Sequence, residues 1–228
     1  MKVMFKTIMA AALAATASVA SAQHFDANVA IGGHAGYTLS KVSFNPSVPQ
    51  GMLGGLEAGV AFRYIEERHF GLIAEVNVQQ RGWKEQFDGY SYQFQRRFTY
   101  VQVPFLTHIY FGSDRCHIYF NAGPELAYMI ANSTSANFDY ANFKQIPDFP
   151  SANRNTDQFT LPVKNKVDYG ISAGLGVELF TRRRHSFNLE GRFYYGLNDV
   201  FSSHKKDTFS GSAGMSLMVR LGYYYRIK

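Results

Sequence analysis

The sequence lacks the elements that would make it a disulfide-stabilised domain or a helical membrane protein. Cys116 is the one cysteine among 228 residues, so no disulfide can form within the chain. Charged residues make up only 18% of the sequence, and beyond residues 1–22 no apolar run is long enough for a membrane-spanning helix. The net charge of +6 arises from basic residues scattered among acidic ones, so we expect no binding of nucleic acid. Aromatic residues are abundant at 16%, mostly Tyr and Phe.

The first residues have the composition of a secretory signal. Lys2 and Lys6 precede an apolar segment, residues 8–20, which ends in the small-x-small pattern Ala20-Ser21-Ala22. We therefore predict a signal peptide over residues 1–22, cleaved before Gln23. Residues 23–228 are then expected to form one barrel domain.

The stretch from Val167 to Leu197 predicts a hairpin of two unusually long strands. In its first arm, residues at odd positions from Val167 to Leu179 are apolar, whereas the even positions carry Asp, Gly, Ser and Glu. Such strict alternation is typical of a strand with two different faces. The second arm repeats it after a short basic turn. Strands of about ten or more residues with an uncharged face match the width of a bilayer crossed at a tilt, so the hairpin predicts a transmembrane β-barrel.

The same alternation recurs along the chain and predicts an all-β, eight-stranded antiparallel transmembrane barrel with an up-and-down meander. The connections alternate between long and short, as in outer-membrane barrels with short periplasmic turns and long external loops. A soluble lipocalin-like barrel is the rival, but the apolar faces carry no charge and the glycines lie with the charged residues. The predicted strands cover residues 27–39, 53–65, 70–82, 97–111, 116–130, 167–179, 187–197 and 209–225. Residues from Ala131 to about Lys164 are expected to form a mobile external loop.

Two motifs on the fourth and fifth predicted strands resemble a known family. YVQVPFLTHIYFG, from Tyr100, and YFNAGPELAY, from Tyr119, resemble the signature "YxEIPLLxKYxF … xAGPxxGY" of PorT-like outer-membrane β-barrels of Gram-negative bacteria. The resemblance implies an eight-stranded barrel in the outer membrane and, for one branch, a part in protein secretion. Gln102 and His108 stand where the family has Glu and Lys, so no role of those charges is carried over.

The charged parity of the predicted strands places ten ionisable side chains inside the barrel. Buried ions must pair, because an unpaired one is costly, so we expect a structural ion network; a gated pore or proton path is the alternative. Leu175→Arg on the apolar face should block insertion, whereas Gly174→Ser on the inward face should be tolerated. The predicted inward residues are Glu57, Glu75, Glu125, Asp168, Glu178, Glu190, Arg63, Arg81, Arg192 and Arg220.

No spacing in the sequence builds a catalytic site. Ser202, Ser203 and His204 fall in one predicted loop, with His34 and His108 directed inward, but nothing forces these residues together. We therefore expect no enzymatic activity, no catalytic residue, no cofactor and no metal.

The expected partners are outer-membrane lipid and a protein bound through external loops or periplasmic turns. Arg182-Arg183-Arg184 could contact lipid phosphates or be a solvated turn. Two sets of loop aromatics either form an external binding surface or lie at headgroup level: Phe87, Tyr90, Tyr92 and Phe94, and Phe138, Tyr140, Phe143 and Phe149. The sequence thus favours a structural or interaction barrel, possibly a secretion accessory. A small porin-like channel and an outer-leaflet lipid-modifying enzyme are the alternatives.

Overall fold

The computed structural model describes residues 27–151, 155–182, 184–201, 203 and 207–227. The predicted signal peptide, residues 1–22, lies outside the described residues. Eight long strands make up most of the fold: β1 (Asn28–Asn45), β2 (Leu53–Glu67), β3 (Phe70–Glu85), β4 (Phe94–Ser113), β5 (Cys116–Ala136), β6 (Val167–Arg182), β7 (His185–Asp199) and β8 (Gly211–Arg226). A two-residue strand, Gln50–Gly51, pairs with β3, and two short 3-10 helices cover Phe143–Gln145 and Asp157–Phe159.

Each strand pairs antiparallel with its neighbour in the sequence, and β1 pairs with β8, so the sheet closes on itself. The predicted eight-stranded antiparallel barrel is confirmed. No described helix is long and apolar enough to cross a membrane.

The apolar parity of the strands faces outward. Leu175 is 62% exposed and Leu221 67% exposed, whereas Glu190 on the opposite parity is 1% exposed. Because successive side chains of a strand point to opposite faces, the pleat alone produces this separation. The outer wall is therefore an uninterrupted apolar surface, and the interior is polar.

The fifth strand continues beyond its predicted end, past a β-bulge that interrupts the alternation. Thr99 pairs with Ala131 and Tyr100 with Met129, which leaves Ile130 as an extra residue in β5. One extra residue exchanges the two faces, so the pattern that marks residues 116–130 is inverted beyond the bulge. The expected start of a loop at Ala131 is wrong: residues 131–136 continue β5.

The long connections pack together at one end of the barrel, here called the loop end; the opposite end, with the short connections at residues 68–69, 114–115 and 183–184, is the turn end. An aromatic core fills the loop end, with Trp83 and Phe94 fully buried and Phe143 and Phe159 contributed by the longest connection. Of the aromatics singled out in the sequence, Phe87, Phe94 and Phe143 are buried in this core, whereas Tyr90 is 50% exposed. We call this core the aromatic cap: Val42, Phe44, Val48, Trp83, Phe87, Phe94, Phe98, Tyr100, Ala127, Met129, Phe143, Phe159, Val200, Phe201 and Phe209.

Charge network and aromatic cap inside the barrel

All ten predicted inward residues lie inside the barrel, and none is more than 7% exposed. The strand registers divide them into three groups along the barrel axis: a pair near the turn end, a central cluster, and a group below the aromatic cap.

The pair near the turn end joins Arg63 on β2 to Glu178 on β6 across the barrel. Its two parallel contacts measure 2.8 Å (Nη1 to Oε2) and 2.9 Å (Nη2 to Oε1), the bidentate geometry that makes arginine–carboxylate pairs strong. The Ser186 hydroxyl also donates a hydrogen bond to Glu178. The Arg63 guanidinium lies 4.3 Å from the centre of the Tyr224 ring. Both charges are therefore compensated by direct partners.

The central cluster consists of two glutamates and two arginines, and each arginine contacts both glutamates. Arg192 contacts Glu75 at 2.8 and 3.0 Å and Glu190 at 2.8 Å. Arg220 contacts Glu75 at 2.7 Å and Glu190 at 3.0 Å. Because each arginine bridges both carboxylates, removal of one member leaves the others only partly compensated.

Glu57 and His34 extend the central cluster toward β1. His34 Nε2 lies 3.3 Å from Glu57 Oε1 and 3.0 Å from Arg220 Nη1. Arg220 Nη1 also lies 3.4 Å from Glu57 Oε1, whereas Glu57 Oε2 has no hydrogen-bond partner among the described residues. His34 was missing from the predicted network, although its position on the inward parity of β1 could have placed it there.

The third group surrounds Arg81 on β3. Its guanidinium lies between two aromatic rings, 4.4 Å from the centre of Tyr100 and 4.2 Å from that of Tyr194. Asp168 lies 3.3 Å and Glu125 3.7 Å from its terminal nitrogens, and the Ser172 hydroxyl donates to Glu125. Aromatic faces attract cations, so the two tyrosines add to the charge compensation of Arg81.

Tyr100 joins this group to the aromatic cap, and uncharged polar side chains fill the interior beside it. Gln102 donates to Gln79, and Gln79 donates to the Thr38 hydroxyl at 3.2 Å. Above them Arg96 reaches into the cap, donates to the Leu161 carbonyl at 2.7 Å and lies 5.6 Å from the Phe201 ring. From the turn end to the loop end, side chains therefore fill the interior, as expected for a barrel of eight strands.

Six carboxylates and four arginines make up the predicted set, and every arginine contacts at least one carboxylate. The arrangement can hold opposite strands together and block the interior. Within the described part of the chain, no group of His, Cys, Asp and Glu has the geometry of a metal site.

Only part of the enzymatic alternative falls within the described residues. Ser202 and His204 lie outside the described residues, and Ser203 is exposed. His34 contacts Glu57, whereas His108 Nδ1 lies 2.7 Å from Asn121 Oδ1, so the two histidines have different partners.

The glycine on the inward face beside the central cluster is less replaceable than predicted. A Cβ atom at Gly174 would overlap the carboxylate of Glu190, which Arg192 and Arg220 hold in place. The expectation that Gly174→Ser is tolerated therefore needs revision. Gly191 on the outer wall has open space around its Cβ position and is the better neutral site.

Comparison with known proteins identifies the type of barrel. A family model described as outer membrane protein beta-barrel domain matches residues 21–202. Comparison with curated protein sequences gives no match.

Three solved outer-membrane structures are similar to the chain. OprG of Pseudomonas aeruginosa has a TM-score of 0.48 at 14% identity, covering 88% of this chain and 95% of its own. Neisserial surface protein A has a TM-score of 0.45 at 12% identity, covering 87% and 98%. Ail of Yersinia pestis, in complex with the heparin analogue sucrose octasulfate, has a TM-score of 0.42 at 12% identity, covering 88% and 100%. At such identities the likeness concerns the fold.

Proposed function

The chain belongs to the outer membrane protein beta-barrel domain family, and we propose that it is a non-enzymatic barrel. In this proposal the barrel binds an extended protein segment at its external end. As a member of this family it is an outer-membrane barrel, so the apolar wall faces lipid. Short turns lie on the periplasmic side of such barrels and long loops outside, which makes the loop end the external end. Residues 1–22 would then serve as the export signal.

The observation that carries the proposal is an unpaired strand edge at the external end. β5 pairs with β6 only as far as Tyr128, opposite Val167, whereas its pairing with β4 continues to Ala136. Among the described residues, residues 131–136 have strand partners on the β4 side only. Ala131, Asn132, Ser133 and Ser135 are exposed. The free side of this edge therefore offers a row of main-chain donors and acceptors without a strand partner in the described part of the chain.

This edge carries neither of the two residue types, Lys and Pro, that commonly prevent strand addition. Native edges are commonly protected by Lys, by Pro or by another segment that covers them. Residues 131–136 read ANSTSA and contain no charge and no proline. An incoming extended segment could add as a further strand through main-chain hydrogen bonds, with little demand on its sequence.

The resemblance to PorT-like barrels supports a secretion-accessory form of this function. A barrel that serves export of other proteins must meet chains that are not yet folded, and such chains offer extended segments. The interior supports the non-channel form, because ion pairs and the aromatic cap fill it.

Site-specific photocrosslinking in living cells tests the proposal. A photoreactive residue at Ser135 should give discrete protein adducts, whereas the same residue at Leu175 on the lipid-facing wall should not. Ser133→Lys should lower the adduct yield strongly, because a lysine on an edge disfavours strand addition.

Gln95→Lys is the matched control. Gln95 lies opposite Ser135 on β4, whose other edge is already paired at that point through Lys84. The substitution therefore adds the same charge opposite the crosslinker at Ser135, two residues along the hairpin from Ser133, on an unavailable edge. Absence of adducts at Ser135, or an equal loss in both lysine variants, would contradict the proposal.

A further inference from the structure

We propose that the periplasmic end of the outer wall holds a specific site for one anionic glycerophospholipid, with its phosphate at the β6–β7 turn and an acyl chain in an adjacent groove. The two parts of the site lie next to each other on β7, β8 and β1. They are remote from the external strand edge, so the inference stands independently of the proposed function.

The groove is an apolar depression of about 580 Å³ in the lipid-facing wall. Its lining includes Ile31, Gly33, Val60, Phe62, Val76 and Tyr223. Gly33 forms the floor because it has no side chain, and a Cβ at this position would meet nothing closer than the Gly59 carbonyl at 3.6 Å. The absent side chain, flanked by larger neighbours, is the structural reason for the depression.

Polar side chains of the β6–β7 turn contact two tyrosines that line the groove at its periplasmic rim. The Tyr223 hydroxyl lies 2.7 Å from His185 Nδ1, and Arg184 Nη1 donates to the Tyr225 hydroxyl at 3.5 Å. Tyr223 and Tyr225 also line the groove, so these two side chains connect the basic turn to the apolar depression. Of the predicted basic run, Arg183 lies outside the described residues.

Register places these groups nearer the periplasmic rim than the floor of the groove. Gly33 pairs with Tyr223 and Ile31 pairs with Tyr225, two residues nearer the rim. Two residues of an antiparallel strand rise about 7 Å, so the Cα of Tyr225 lies about that distance nearer the periplasmic rim than that of Tyr223 at the groove floor. A lipid phosphate at Arg184 would direct its acyl chain along the lipid-facing wall into the groove.

The chemistry selects the occupant. A guanidinium, an imidazole and two phenol hydroxyls beside an apolar groove complement a phosphate ester joined to a hydrocarbon chain. Arg184 is exposed, and no carboxylate among the described residues contacts it within ion-pair distance, so its charge is available. The periplasmic leaflet supplies glycerophospholipids, and the basic turn favours those with net negative charge.

Native mass spectrometry of the detergent-purified full chain tests the site. With phosphatidylglycerol added, we expect one retained lipid per barrel, and retention well above that of phosphatidylcholine. Gly33→Leu fills the groove and Arg184→Gln removes the guanidinium, so each should lower the retained fraction about tenfold, the equivalent of one lost charge-assisted contact or more.

Two substitutions serve as matched controls. Gly191→Leu places the same side chain on the outer wall at a position with open space, away from the groove. Arg115→Gln removes an exposed arginine from another periplasmic turn. Both should retain lipid like the unmodified protein, and the heat-dependent gel shift of folded barrels verifies folding of each variant. Equal retention in all five proteins, or equal retention of both lipids, would overturn the proposal. Loss of a dimer in Gly33→Leu with lipid retention unchanged would identify a second copy as the occupant and would also overturn it.

Discussion

Substitution of Arg63 by Met probes whether the interior charges stabilise the barrel as pairs. Arg63 and Glu178 form the most isolated pair of the network, joined by contacts of 2.8 and 2.9 Å and both nearly inaccessible to solvent. In Arg63→Met the Glu178 carboxylate keeps only the Ser186 hydroxyl and loses its counter-charge. Methionine also removes the guanidinium from the Tyr224 ring.

The expected magnitude follows from the cost of an uncompensated buried charge. Removal of one partner of a buried pair typically costs about 3–5 kcal/mol, a change of roughly two to four orders of magnitude in the folding equilibrium. Arg63→Met and Glu178→Leu should each destabilise the barrel by about this amount. The double variant should cost much less than the sum, because two apolar side chains of similar volume leave no charge unpaired.

Urea unfolding of the four proteins, folded into vesicles of one lipid, measures this coupling. Arg68→Gln is a suitable control, because Arg68 lies exposed in a periplasmic turn and its loss should change the unfolding free energy by less than about 0.5 kcal/mol. Additive costs in the double variant would refute the reasoning, since they would mean that the two side chains do not depend on each other.

Three further outcomes are expected. Leu175→Arg should block insertion, at a cost of roughly 2–4 kcal/mol at mid-bilayer, whereas Gly191→Ser should insert normally in a vesicle-folding assay; equal insertion would show that the faces are reversed. Trp83→Ala should lower the unfolding free energy by about 3–5 kcal/mol by opening a cavity in the aromatic cap, whereas the exposed Met52→Ala should change it little; equal values in both would disprove the packed cap. Trypsin added to intact cells should cut after the exposed Lys144 and spare Arg115, and the reverse result would contradict the orientation.

The barrel could be predicted from the sequence because a strand with two different environments imposes a period of two. Gly174, Leu175 and Glu190 show how directly this period sets the faces, and all ten charged residues at inward positions lie inside. The even strand count makes β1 and β8 antiparallel, which closure of an antiparallel barrel requires.

The partners within the network could not be predicted, because alternation gives the face of a residue but not its height in the barrel. Arg63 and Glu178 stand 115 positions apart in the sequence, and only the registers of the five strands from β2 to β6 place them opposite each other. The prediction of the loop end failed for two reasons. A single extra residue, Ile130, inverted the pattern of β5, and the aromatic cap is built from connections without any period.

Electrical recording in a planar bilayer tests most directly the claim that ion pairs and the aromatic cap close the interior. The purified, unmodified protein is predicted to show no sustained conductance above background, because ion pairs cross the interior. Arg81 lies 3.3 Å from Asp168, and Arg192 and Arg220 lie 2.8 and 2.7 Å from Glu75. Stable, repeatable channel steps from the unmodified protein would contradict the account and would make a small channel the better description of its function.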